Sequence, residues 1–241
     1  MVLRWENGIA TPGNLACLLG AFVLFPFLVK WTDTFAVARM DASNPAHTSA
    51  FLKFAVVLLL FEWLLFLIAW FGVRYRGKTS VTELTGKEWS DGKEMARDIG
   101  LGLLTFAGLL VIGVVFQTLL ARFQQPGAGA MRAMMPQNTV EALCFLAATW
   151  TAGFVEEFVF RGYLQKQFTA ITGNVAAATI LQLLLFVQAH VYQGLVRLIP
   201  VAALGLLLTA VALWRKSLKP GMIAHMLGDS LGGILFFAKR L

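Results

Sequence analysis

Trp150-Thr-Ala-Gly-Phe-Val-Glu156-Glu157-Phe-Val-Phe-Arg161-Gly-Tyr163 sets two adjacent carboxylates and an arginine in a run that is otherwise apolar. A charge near the centre of a bilayer costs roughly 2.5–3.5 kcal/mol on insertion scales. On a helix, Glu157 and Arg161 share a face with the glutamate on the N-terminal side, the favourable order. Glu156 points about 100° away from that pair. The spacing therefore predicts a division of labour, with Glu157 fixed by Arg161 and Glu156 free to face a cavity. Read alone, the stretch also fits a helix that ends at Val155 and leaves its charges at the headgroups.

Two later segments favour the first reading. Leu181-Gln182-Leu-Leu-Leu-Phe186-Val-Gln188-Ala-His190 repeats Gln182, Phe186 and His190 every four residues, along one helical face. A lone histidine on an apolar helix is more often a packing residue than a ligand, but His225-Met-Leu-Gly-Asp229 repeats the pattern. A carboxylate four residues from a histidine orients its ring and tautomer, or stands beside it as a ligand. With a turn near Thr172-Gly173-Asn174, Glu156 lies about 24 Å before it and His190 about 25 Å after it, so the two share a depth. His225 fits less well, at about 12 Å from the turn near Ser217.

The composition sets these segments in a membrane. The 241-residue chain is 58% hydrophobic and 14% charged, and its mean hydropathy is +0.72. A soluble domain carries about a quarter charged residues. The net charge of +7 sits between apolar runs, where it sets orientation and meets anionic lipid. No basic tail or nucleic-acid-binding signature accompanies it, so nucleic acid is not an expected partner. Cys17 and Cys144 lie in apolar stretches without CxxC spacing and read as small buried residues.

Seven apolar segments are expected, near residues 15–31, 50–73, 99–120, from 140, 175–192, 198–214 and 222–238. The second is the most apolar despite Glu62. Ala36-Val37-Ala38 resembles a signal-cleavage site, but Lys30 and Asp33 separate it from the first run, which reads as a membrane helix. Trp31, Trp70 and Trp214 mark segment ends. Residues 74–97 form a polar loop with room for a short surface helix, and Gln124-Gln125-Pro126-Gly127 marks a turn. Arg4, Arg74, Arg76, Lys78, Lys87, Lys93, Arg97, Arg161, Lys166, Arg215, Lys216 and Lys219 outnumber the basic residues of the other side. That modest excess places the N-terminus on the cytoplasmic side. The expected fold is an all-α polytopic bundle of about seven to eight helices around an intramembrane cavity. It is one membrane domain, with N-terminal helices and the polar loop in 1–138 and the motif-bearing core in 139–241.

Gly228-Asp229-Ser230-Leu231-Gly232 has the spacing of a serine-hydrolase elbow. It lies inside an apolar helix rather than between strand and helix. Its glycines suit close helix packing instead. HExxH and Gly-rich phosphate loops are absent. A GxGD aspartyl site is also missing, because Met226 stands where its first glycine belongs.

Glu156-Glu157-xxx-Arg161, Phe186-xxx-His190 and His225-xxx-Asp229, in this order, resemble the motif series of the CPBP (Abi) intramembrane proteases, which include the Ras-converting CAAX endopeptidase. Gly205 and the stretch from Trp214 to Pro220 fit the same resemblance, which covers the chain from near Val140 onward. It implies an all-α membrane fold with a conical cavity open to the cytosol. It further implies that Glu156 and His190 activate a water, that His225 and residue 229 stabilise an oxyanion, and that Glu157 and Arg161 support the site. The family often carries Asn where this chain has Asp229. An ionised aspartate cannot donate to an oxyanion, so Asp229 is either protonated or orients His225, or the chain belongs to a subfamily of altered activity.

The resulting expectation is an intramembrane endopeptidase acting on a membrane-associated peptide or protein, with prenylated CAAX-type peptides as one class, and with no cofactor. One variant makes Glu156, His190, His225 and Asp229 ligands of Zn²⁺, a donor set zinc accepts. Another reading is a non-enzymatic proton or ion pathway, or an assembly partner.

Overall fold

The computed structural model describes residues 3–31, 46–121 and 135–238. Ala36-Val37-Ala38 and the Gln124–Gly127 turn lie outside them. The described residues form helices and short helical turns, and among them there is no strand. In chain order the helices are α1 (Pro12–Trp31), α2 (Ala46–Arg76), α3 (Val81–Thr85), α4 (Gly92–Leu120) and α5 (Thr139–Glu156). A π-helical segment (Glu157–Leu164) follows, then α6 (Gln165–Thr172), α7 (Val175–Ala189), α8 (Leu198–Arg215) and α9 (Lys219–Ala238).

Five stretches are long and apolar enough to cross a membrane: His47–Arg76, Gly92–Leu120, Thr139–Thr172, Leu195–Arg215 and Lys219–Ala238. Two shorter apolar helices, Pro12–Phe25 and Val175–Ala189, complete the bundle. Large apolar side chains such as Leu60, Phe71, Leu104 and Val114 face outward. Such a surface is untenable in water and ordinary in lipid. The chain is an integral membrane protein.

Helix ends follow local chemistry. Asn138 and Asn174 cap α5 and α7 by accepting from the backbone N–H of Glu141 and Ala177, and Asp91 caps α4 at Glu94. Gly173, at φ +67°, ends α6 in the left-handed conformation that glycine adopts freely. Because α2 runs to Arg76 and α4 starts at Gly92, the polar connection is shorter than the expected 74–97. The short helix anticipated there is α3.

Helix α9 packs against α4 and α5, α2 against α1 and α5, and α8 against α4 and α7. The closest approaches occur at glycines. A Cβ at Gly153 would lie 2.8 Å from the backbone nitrogen of Met226, and one at Gly233 only 2.2 Å from the Phe145 ring. Gly232, expected as a packing glycine, meets nothing within 4 Å. Ser230 of the elbow-like spacing hydrogen-bonds Thr149 at 3.0 Å. Cys17 is exposed and Cys144 half-buried, so both are less enclosed than expected.

One end of the bundle gathers the basic residues assigned to the inner side. Arg76 and Lys78 donate to the Glu6 carbonyl, Lys166 to that of Glu83, and Lys219 to that of Lys87. Arg215 bridges Glu94 and Asp98. Arg161 is the correction to that list. It is buried in the bundle, beside Glu157.

This end also explains the depth of His225. Leu218, at the α8–α9 turn, packs on Gly162, ten residues before the α6 terminus. The turn is therefore recessed by about 15 Å relative to the Thr172 turn. Helix α3 fills the recess: the Leu218 N–H donates to the Thr85 carbonyl, and Gly86, at φ +93°, lies where any Cβ would strike Ser217. Counting from a turn at the membrane edge misplaced His225 because its turn is not at the edge.

Candidate active site

Glu156 and Glu157 do not end a helix. Thr139–Thr172 is helical throughout, and the change after Glu156 is to π winding over Glu157–Leu164, every residue of which is buried. π turns inside α-helices widen the backbone and occur often at functional sites. They send neighbouring side chains to different walls. Glu157 is fully buried, whereas Glu156 lines a cavity of about 210 Å³.

Glu157 Oε1 is held twice, by Arg161 Nη1 at 3.1 Å and by His225 Nδ1 at 2.9 Å. The Arg161 contact is ionic, since Nη1 makes no aligned hydrogen bond. Arg161 Nη2 donates to the Gly205 carbonyl at 3.3 Å, and its guanidinium lies 4.1 Å from the centre of the Phe186 ring, a cation–π contact. Gly205 is required for this support: a Cβ there would lie 2.9 Å from Phe186. Gly221 leaves room for Glu157 Oε2 in the same way.

His190 sits at the C-cap of α7 rather than within the helix that its four-residue spacing suggests. Its Nδ1 lies 2.7 Å from the Phe186 carbonyl. A carbonyl only accepts, so Nδ1 carries a hydrogen and Nε2 faces the cavity. That Nε2 is 4.0 Å from Glu156 Oε2. His225 Nε2 lies 3.8 Å from the same oxygen and 3.4 Å from Asp229 Oδ2. Glu156 Oε2 is buried without a hydrogen-bond partner. Glu157 engages His225 Nδ1, and Asp229 stands at the other ring nitrogen.

The structure thus brings Glu156, Glu157, Arg161, Phe186, His190, His225 and Asp229 into one neighbourhood. Two cavities meet there. The first holds Glu156, His190 and Asp229 between α1, α2 and α5. The second, of about 370 Å³, reaches His190, His225 and Asp229 between α4 and α8. Tyr192 and Gln193, in the turn after His190, line the first as well. So does Glu62 of α2, which the sequence offered only as an exception in an apolar run. Zinc would need donor atoms about 2.0–2.2 Å from one centre. Among the described residues, no group of three or more His, Cys, Asp or Glu side chains has the arrangement to hold a metal ion.

A search of curated proteins and a search of solved structures each find no match to the chain. Residues 138–231 match the family model described as "Type II CAAX prenyl endopeptidase Rce1-like". That segment runs from the α5 cap into α9 and contains all seven motif residues.

Over residues 138–231 the chain is similar to the CAAX-protease (CPBP) family.

The match leaves out α1 to α4, so Glu62 is a feature of the part that the CAAX-protease model does not reach. Within the matched part, Glu156, His190 and Asp229 line a cavity among apolar helices.

Proposed function

We propose that the protein is an intramembrane endopeptidase in which Glu156 and His190 activate water and His225 stabilises the oxyanion. The observation that carries this reading is Glu156 Oε2, unpartnered in a cavity and 4.0 Å from His190 Nε2. That gap is too long for a direct hydrogen bond, yet an oxygen between the two atoms would lie within about 3 Å of each.

A water there donates one hydrogen to the Glu156 carboxylate and the other to the His190 Nε2 lone pair, which the Phe186 carbonyl directs into the cavity. Glu156 takes a proton as hydroxide attacks the scissile carbonyl carbon. The carbonyl oxygen becomes an oxyanion and accepts from the Nε2–H of a His225 ring that carries hydrogens on both nitrogens before the attack, its Nδ1–H held by Glu157. Collapse breaks the C–N bond, and the Glu156 proton passes to the leaving amine. Glu157 acts through His225 by holding its Nδ1–H, and Arg161 holds Glu157. Asp229 meets the oxyanion as a protonated donor or holds the His225 Nε2–H as a carboxylate. It is nearly half exposed, and a carboxylate open to the cavity can serve in either form.

The substrate is a membrane-associated peptide or protein, with prenylated C-terminal peptides as one class. The test is hydrolysis of fluorogenic prenylated and unprenylated peptides by detergent-purified wild type and Glu156→Gln, with and without chelator. Hydrolysis abolished in the variant and unchanged by chelator supports the metal-free route. Hydrolysis that survives in Glu156→Gln sinks it, and loss on chelation with recovery on Zn²⁺ moves the mechanism to the metal variant.

A further inference from the structure

Glu62 has no place in this proton route, yet it occupies the middle of α2, about 24 Å from its start at Ala46 and about 21 Å from its end at Arg76. The rings of Trp63 and Phe66, beside it, pack at a tilt against Phe154, and Phe66 also packs against Phe158. These are the residues that flank Glu156, so the two glutamates lie at one level. Glu62 is 5% exposed, and its Oε2 has no hydrogen-bond partner. The carboxyl lines the same cavity as Glu156, His190 and Asp229. A carboxyl on so apolar a helix is costly to bury without a partner.

The surroundings show what partner is missing. Arg161, the arginine of the site, is committed to Glu157. Among the described residues lining the cavity there is no lysine or arginine. Its walls are rich in phenylalanine, with Phe22, Phe25, Phe51, Phe61 and Phe160 among them. Aromatic faces attract cations, the more strongly when desolvated. A carboxyl set among such rings, with no lysine or arginine beside it among the described residues, is complementary to an ammonium or guanidinium group.

We propose that Glu62 is a specificity residue that receives a lysine or arginine side chain of the bound peptide. The proposal rests on the peptidase reading and names its substrate class: peptides with a basic residue close to the scissile bond. A neutral side chain in that position leaves Glu62 unpartnered and sealed from water, so discrimination comes from an unmet carboxyl as well as from the ion pair.

The test uses the detergent-purified full chain and peptides carrying lysine or norleucine at successive positions around the cleaved bond. Norleucine keeps the four-carbon stem and lacks the amine. In wild type, kcat/KM at one position favours lysine by at least about tenfold, the scale of one charged hydrogen bond to the carboxyl. The ratio falls to about one in Glu62→Gln and is retained in Glu62→Asp. A ratio within one variant is independent of how much of it is folded. Reduced-amide peptides, which cannot be hydrolysed, show the same preference in binding. Preferential binding of the lysine peptide without cleavage of any peptide upholds the role of Glu62 and sinks the peptidase reading. Cleavage indifferent to lysine or norleucine at every position overturns the role of Glu62 and leaves the peptidase standing. A preference that persists in Glu62→Gln, or binding of neither reduced-amide peptide, overturns it equally.

Discussion

His225 Nδ1 lies 2.9 Å from Glu157 Oε1 across 68 positions of sequence, and Arg161 holds the same oxygen. Glu157 therefore aims one ring and neutralises one buried cation at once. Glu157→Ala leaves Arg161 charged and unpaired in the bundle and is expected to cost about 3–5 kcal/mol. Glu157→Gln keeps an acceptor for His225 and costs less. Thermal unfolding in micelles checks the order of the two variants.

Glu156 behaves differently, because its Oε2 makes no hydrogen bond. Glu156→Gln is expected to unfold at the wild-type temperature while hydrolysis drops by about 10²–10⁴, the range for loss of a general base. Fluorogenic peptide turnover set beside the melting curve separates the two effects.

Gly205 allows Phe186 to approach, and Phe186 underlies Arg161 and carries the carbonyl that orients His190. Gly205→Val pushes a branched side chain into that ring, with an expected loss of about 1–3 kcal/mol from overpacking and a fall in kcat. The companion Phe186→Ala opens a cavity and costs about 3–5 kcal/mol. Activity per folded molecule, measured for both, shows whether the His190 tautomer depends on this support.

Glu83 lies outside the spanning helices and carries a titratable cap. Its carboxylate accepts from the Thr79 hydroxyl and the Ser80 N–H, and these bonds hold its pKa below the usual carboxylate value. The folded form thus binds its proton less readily than the unfolded chain. The cap contributes in full above the ordinary glutamate range and is lost as pH falls below about 4. Limited proteolysis between Gly77 and Asp91 should accelerate over that interval in wild type. Glu83→Ala should be cut quickly at every pH.

The membrane character and most of the site were legible because charges in apolar runs stand out from their surroundings. Glu156, His190, His225 and Asp229 needed no partner information to be noticed. Glu62 was equally visible, but its meaning depends on α2 packing against α5, and no local spacing encodes that contact. The link between Glu157 and His225 escaped for the same reason: an i,i+4 partner was available in Arg161, and a second partner 68 residues away leaves no periodic trace. The break of α7 at His190 was hidden by a mainly apolar run through Ala189 that holds no glycine or proline, with Gly194 the first breaker, four residues beyond the histidine. Glu141 makes a further case. It is buried, takes hydrogen bonds from Thr48 and Asn138, and contacts His47. In the sequence it looks like an ordinary first-turn acid.

The π-wound stretch has a consequence for the chain that follows it. Each residue in such a winding turns the backbone through a smaller angle than in an α-helix, so Glu157–Leu164 acts as a phase shifter between α5 and α6. The directions of Gln165 and Gln167, on opposite sides of α6, are set by that offset, and these amides reach the carbonyl of Val175 and the backbone of Ala10. A single-residue deletion here would leave every side chain of the stretch chemically acceptable and swing all of α6 to the wrong azimuth. The chain is thus less tolerant of a change in length at this point than of many changes in composition.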